Sequence, residues 1–77
     1  MSCLHTISKS PDTQLLENCL KIIVAGDAIL FIEDGTYYAK SAPKLEAIEK
    51  TFKIYGLRED MLARGILARA ADTVELI

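Results

Sequence analysis

The chain has 77 residues, a formal net charge of −2 and 51% hydrophobic residues, which bounds it to one small domain with a thin folding margin. Two cysteines are too few for a disulfide framework, and a single histidine with no C-x-x-C or H-x-x-x-H spacing excludes a structural zinc site. The nine Lys and Arg are scattered, leaving no basic footprint for nucleic acid, and no apolar stretch is long enough to span a bilayer.

The opening Met1-Ser2-Cys3-Leu4-His5 lacks the basic-then-apolar layout of a signal peptide, so a cytoplasmic chain is expected. Cys3 to Ile7 reads as a first strand, broken by Ser8-Lys9-Ser10-Pro11-Asp12, where Ser10 or Asp12 offers a helix N-cap. Leu15, Leu16, Cys19, Leu20 and Ile23 then recur at helical spacing, predicting an amphipathic helix of about three turns closed by Gly26. Ala28 to Ile32 is a continuous apolar run, which suits a central strand covered on both faces. Glu33-Asp34-Gly35 supplies a sharp turn.

A second helix is expected from near Ser41, with Pro43 in its first turn and Leu45, Ile48 and Phe52 on its inner face. Phe52 to Leu57 holds the third strand, around Lys53-Ile54-Tyr55. Glu59 to Arg69 is helical in pattern but interrupted by Gly65, and Thr73 to Ile77 reads as a fourth strand. Strands alternating with helices imply a mainly parallel sheet in an α/β domain. The last strand has no helix after it, so one face of the sheet is thinly covered. Together with the apolar excess, this points to a partner chain.

Few residues invite chemistry. Cys19 lies one helical turn from both Leu15 and Ile23, and inside that apolar stripe its thiol should be a poor nucleophile and pack as a small hydrophobe; a reactive role needs the face to open onto a cleft. Cys3 sits at the strand end opposite the usual ligand crevice. His5 is placed nearer the C-terminal end of the first strand, with no obvious carboxylate partner, and reads as structural with an edge role as the alternative. Asp34 belongs either to a plain turn or to the sheet edge where ligands bind in parallel folds. Tyr37 and Tyr38 are of a kind favoured at protein interfaces, against ordinary packing. No G-x-G-x-x-G or P-loop follows a strand, and no cofactor is called for.

Four segments, read in order, resemble the TusB/DsrH family: Leu4-His5-Thr6-Ile7-Ser8-Lys9-Ser10-Pro11, Leu30-Phe31-Ile32-Glu33-Asp34-Gly35-Thr36-Tyr37, Lys53-Ile54-Tyr55-Gly56-Leu57 and Glu59-Asp60-Met61-Leu62-Ala63-Arg64-Gly65. The resemblance implies a small three-layer α/β domain of the DsrE/DsrF/DsrH type, with about four strands and three helices. It also implies a cytoplasmic heterohexamer with sister subunits of the TusC/TusD or DsrE/DsrF kind. Such complexes relay persulfide sulfur between carrier proteins, toward 2-thiouridine at the tRNA wobble position or within dissimilatory sulfur oxidation. Contact with tRNA is then indirect, and no membrane is involved.

In both settings the resemblance places the main sulfur-carrying cysteine on a sister chain, which makes this chain an accessory subunit. Leu16-Glu17-Asn18-Cys19-Leu20-Lys21 resembles the L-x-x-C-L-[KR] of DsrH-like members, which implies a secondary sulfur site at Cys19. Members usually continue past the last strand with an acidic-aromatic segment and a closing helix. Residues 1–77 are therefore expected to be a single domain lacking that C-terminal segment.

Overall fold

A computed structural model describes residues 3–40, 45 and 52–77. Four short strands, β1 (Leu4–Ile7), β2 (Ala28–Phe31), β3 (Lys53–Gly56) and β4 (Glu75–Leu76), form one sheet in the order β1-β2-β3-β4. Every pairing is parallel. The α/β class and the parallel sheet are as expected from the alternating pattern.

The register decides which side chains share a face. His5, Ile29 and Ile54 align across the sheet, as do Ile7, Phe31, Gly56 and Leu76. These two rows point to one side, where Ile7, Ile29, Phe31 and Ile54 are buried together with Leu16, Leu45 and Met61. The alternate rows, Leu4-Ala28-Lys53 and Thr6-Leu30-Tyr55-Glu75, are exposed or half-buried throughout. The physical reason lies in the strand order. Parallel crossovers are right-handed, so strands laid down in one direction return every connection over the same face. The apolar run of β2 is therefore buried at Ile29 and Phe31 but only half-buried at Ala28 and Leu30, not covered on both faces.

The first helical segment is shorter than its periodicity predicts. Pro11–Thr13 is a 3-10 turn and Gln14 adopts a left-handed φ of 58°, so the α-helix α1 runs only Leu15–Cys19. Ser10 does not cap it; its hydroxyl instead pairs with the Asp12 carboxylate. The N–H of Leu16 is taken up by the Tyr38 hydroxyl at 3.3 Å, so a distant side chain replaces the missing cap.

After β2 the chain enters a 3-10 segment, Glu33–Lys40. Gly35 comes so close to β1 that a Cβ there would lie 1.9 Å from the carbonyl oxygen of Ile7, which only glycine permits. The start of the second helix near Ser41, with Pro43 and Ile48, lies outside the described residues, while Leu45 is helical and fully buried. Helix α2 (Arg58–Ala63) ends at Gly65, whose φ is 69°. The Ile66 N–H returns to Met61 O at 3.0 Å and the Gly65 N–H to Leu62 O at 3.1 Å, the paired closure of a Schellman motif. Gly65 is thus a stop and not a defect within a longer helix, and the short 3-10 turn Leu67–Arg69 follows it.

Candidate functional site

Titratable side chains gather at the two ends of the strands. At the N-terminal end, Asp27 sits in the turn before β2 and is 4% exposed. Its carboxylate accepts three hydrogen bonds: from the Cys3 N–H at 2.9 Å, from His5 Nε2 at 2.8 Å and from the Val24 N–H at 3.2 Å. These donors, His5 foremost and then Cys3, hold its carboxyl below the usual aspartate range against the opposing effect of burial. Because Asp27 is ionised, the His5 nitrogen facing it carries the proton and donates. His5 thus differs from its expected placement. It is the second residue of β1, toward the N-terminal end, and it does have a carboxylate partner.

Cys19, the last residue of α1, is 8% exposed and belongs to the core cluster. It also lines an open groove of about 400 Å³ between α1 and β1, together with His5, Ile7, Leu15, Asn18 and Ile22. Burial pushes its thiol pKa up, and the Asp27 charge adds to the effect. Both cysteines are free thiols, Cys3 exposed and Cys19 buried. The apolar stripe that placed Cys19 inside was read correctly from spacing. The groove beside it was not visible there.

At the C-terminal end of the strands the contacts are those of a clamp. Asp34 accepts from Arg64 Nε at 3.0 Å, and Arg64 Nη1 also donates to Asp60 O at 3.3 Å. The Asp60 carboxylate in turn accepts the Glu33 N–H at 2.6 Å. Asp34 thereby fastens the turn after β2 to α2. Tyr37 is half-buried with the Lys40 ammonium 5.5 Å from its ring centroid. Tyr38, offered by sequence as an interface residue, is in the core at 2% exposed. It stacks on Phe31 with centroids 5.6 Å apart, and its hydroxyl donates to Glu17 Oε2 at 3.1 Å.

Asp27 is the residue that sequence reading missed. Its only local signal is an acidic residue after Gly26 directly ahead of an apolar strand, a position that reads equally well as an exposed turn. Among the described residues, no three His, Cys, Asp or Glu side chains gather as metal ligands. No described helix is long and apolar enough to cross a membrane.

Comparison with known proteins agrees with the motif reading. The family described as DsrH-like protein matches residues 9–77. Protein TusB of Erwinia tasmaniensis is 34% identical over 76 residues, covering 96% of this chain and 80% of that protein. Protein TusB of Escherichia coli K12 is 32% identical over 76 residues with the same coverage.

Proposed function

The chain belongs to the DsrH-like family, and from that membership we propose that it is an accessory subunit of a cytoplasmic sulfur-relay complex. Its role is to hold sister subunits of the TusC/TusD or DsrE/DsrF kind in register while persulfide sulfur passes between carriers. One observation carries the subunit reading: the sheet leaves the Thr6-Leu30-Tyr55 row accessible at its centre, where a chain this small has apolar surface to bury. The protonated, largely buried thiol of Cys19 supports placing the main sulfur chemistry on a neighbour.

The relevant pathway in this reading is 2-thiouridine formation at the tRNA wobble position, with tRNA reached through the partners. Co-expression with sister subunits and mass measurement by size-exclusion chromatography test the assembly. A heterohexamer is expected, and a chain that stays monomeric in their presence refutes the proposal. Complementation of a strain deleted for the equivalent subunit, with wobble thiouridine measured, tests the pathway.

The alternative is a DsrH-type subunit of sulfur oxidation in which Cys19 handles sulfur, favoured by the cysteine within Leu16-Glu17-Asn18-Cys19-Leu20-Lys21. Restoration of wobble thiouridine would exclude it.

A further inference from the structure

β1 is an edge of the sheet, and its hydrogen bonds define what that edge can still accept. The Ala28 N–H donates to Cys3 O at 2.9 Å and the Ile32 N–H to Ile7 O at 3.0 Å. In a parallel ladder the residues bonded to the neighbouring strand alternate. Cys3, His5 and Ile7 are therefore turned toward β2, while Leu4 and Thr6 turn their N–H and C=O groups outward. Among the described residues nothing takes up those outward groups. Native sheets blunt such an edge with a charge, a proline, a bulge or a very short strand. The far edge follows that rule, since β4 has two residues and one is Glu75. β1, Leu-His-Thr-Ile, uses none of these devices.

Apolar surface flanks the open edge on both faces. Leu4, 58% exposed, stands on the uncovered face, and Ile22, 72% exposed, lines the groove between β1 and α1 on the other. Every residue of β1 lines that groove, together with Leu15, Asn18, Cys19 and Ile22, and none of them bears a fixed charge. An acidic or basic segment finds no counter-charge there, whereas a copy of the same edge meets no repulsion.

We infer that the β1 edge pairs antiparallel with β1 of a second copy of this chain, across a two-fold axis at His5. Leu4 of each copy then faces Thr6 of the other, and each such pair exchanges two N–H···O bonds. Every outward N–H and C=O group finds a partner. The contact is isologous, so it closes after two chains, and the two grooves adjoin across the axis. A strand pair with a narrow apolar flank is small beside the roughly 800 Å² per partner of a standard interface, so the dimer is weak and forms at high concentration. It uses the strand edge and its backbone, not the open face offered to sister subunits, and the two readings stand or fall separately.

The test is sedimentation equilibrium of the 77-residue chain from roughly 10 µM to 1 mM, with a reducing agent present so that the exposed Cys3 does not join chains. The average mass should rise toward that of two chains and stop there. Thr6→Pro removes an outward N–H and leaves the β1–β2 bonds in place, because proline is tolerated where the N–H of an edge strand faces solvent. It should keep the mass of one chain over the same range, with an unchanged circular dichroism spectrum. Thr6→Val retains the N–H and should dimerise as the unaltered chain does. In the unaltered chain, hydrogen exchange at the Leu4 and Thr6 amides should slow severalfold as concentration rises.

An unaltered chain that keeps the mass of one chain throughout, or whose mass climbs past two, overturns the pairing. So does a Thr6→Pro variant that dimerises undiminished. If Thr6→Pro does not fold, the exchange data decide: a dimer whose Leu4 and Thr6 amides exchange as fast as in the monomer overturns it. Protection of those amides only on adding a sister subunit, with the isolated chain monomeric, overturns the second copy as occupant and assigns the edge to a strand of that subunit.

Discussion

Asp27 is the side chain on which the N-terminal end of the sheet depends. It collects donors from Cys3 and the His5 ring at the start of β1 and from Val24 in its own turn, so one carboxylate ties the turn before β2 to the beginning of β1. An aspartate in an unfolded chain titrates at about 3.9, and Asp27 in the fold titrates lower. Between the two values the unfolded chain binds more protons. The stability that comes from the lowered pKa is therefore complete above the unfolded value and is lost as pH falls through the folded one. Asp27→Asn should lower the urea midpoint at neutral pH, and its gap to the wild type should close as the buffer is taken into the acid range. A gap that stays constant on acidification would mean that ionisation of Asp27 contributes nothing. This pair was not legible in the sequence because His5 and Asp27 are 22 positions apart. Only the parallel register of β1 beside β2, which sets Leu4 against Ala28, brings them together.

Elements were easier to read than their ends. Each strand announced itself through an apolar or β-branched run, and the turn at Gly35 through its neighbours Glu33 and Asp34. The first helix was over-read, because spacing at 3.6 residues records which face is buried and not whether the backbone stays helical. Here Pro11 opens a 3-10 turn, Gln14 turns left-handed, and the helix begins only where the Tyr38 hydroxyl accepts the Leu16 N–H. Removing that hydroxyl with Tyr38→Phe leaves the ring stacked on Phe31 but orphans a buried donor, at a cost of about 1–2 kcal/mol. Equilibrium unfolding measures it, and an unchanged midpoint would show that the cap contributes nothing. Gly35→Ala acts at a junction between elements. A Cβ 1.9 Å from the Ile7 carbonyl oxygen meets backbone and not a flexible side chain, so β1 or the 33–40 segment must shift. A loss of about 3–5 kcal/mol is expected, enough to unfold a marginal domain of this size. Recovery of a folded variant with a wild-type midpoint would contradict the close approach.

At the scale of the whole molecule, the strand order settles what the sequence left open. Right-handed crossovers between parallel strands laid down side by side in chain order fall on one face, and among the described residues the core of Ile7, Ile29, Phe31 and Ile54 is buried while the row of Thr6, Leu30, Tyr55 and Glu75 stays exposed or half-buried. A thinly covered face was expected from a final strand without a helix, but its identity follows only from register. If sister subunits bind there, Leu30→Lys should separate assembly from folding. Leu30 is half-buried at the centre of the open face, and a lysine there reaches solvent along its own stem, costing the isolated chain about 1 kcal/mol. In the complex the same ammonium would be buried without a partner, which is far more costly. Leu62→Lys is the control, since Leu62 is 65% exposed on α2, away from the open face. Size-exclusion profiles of co-expressed subunits should lose the complex for Leu30→Lys and keep it for Leu62→Lys, with thermal unfolding showing both variants folded. The reverse result would move the interface to the α2 surface, where Leu62, Gly65, Leu67 and Ala68 line an apolar hollow of about 370 Å³.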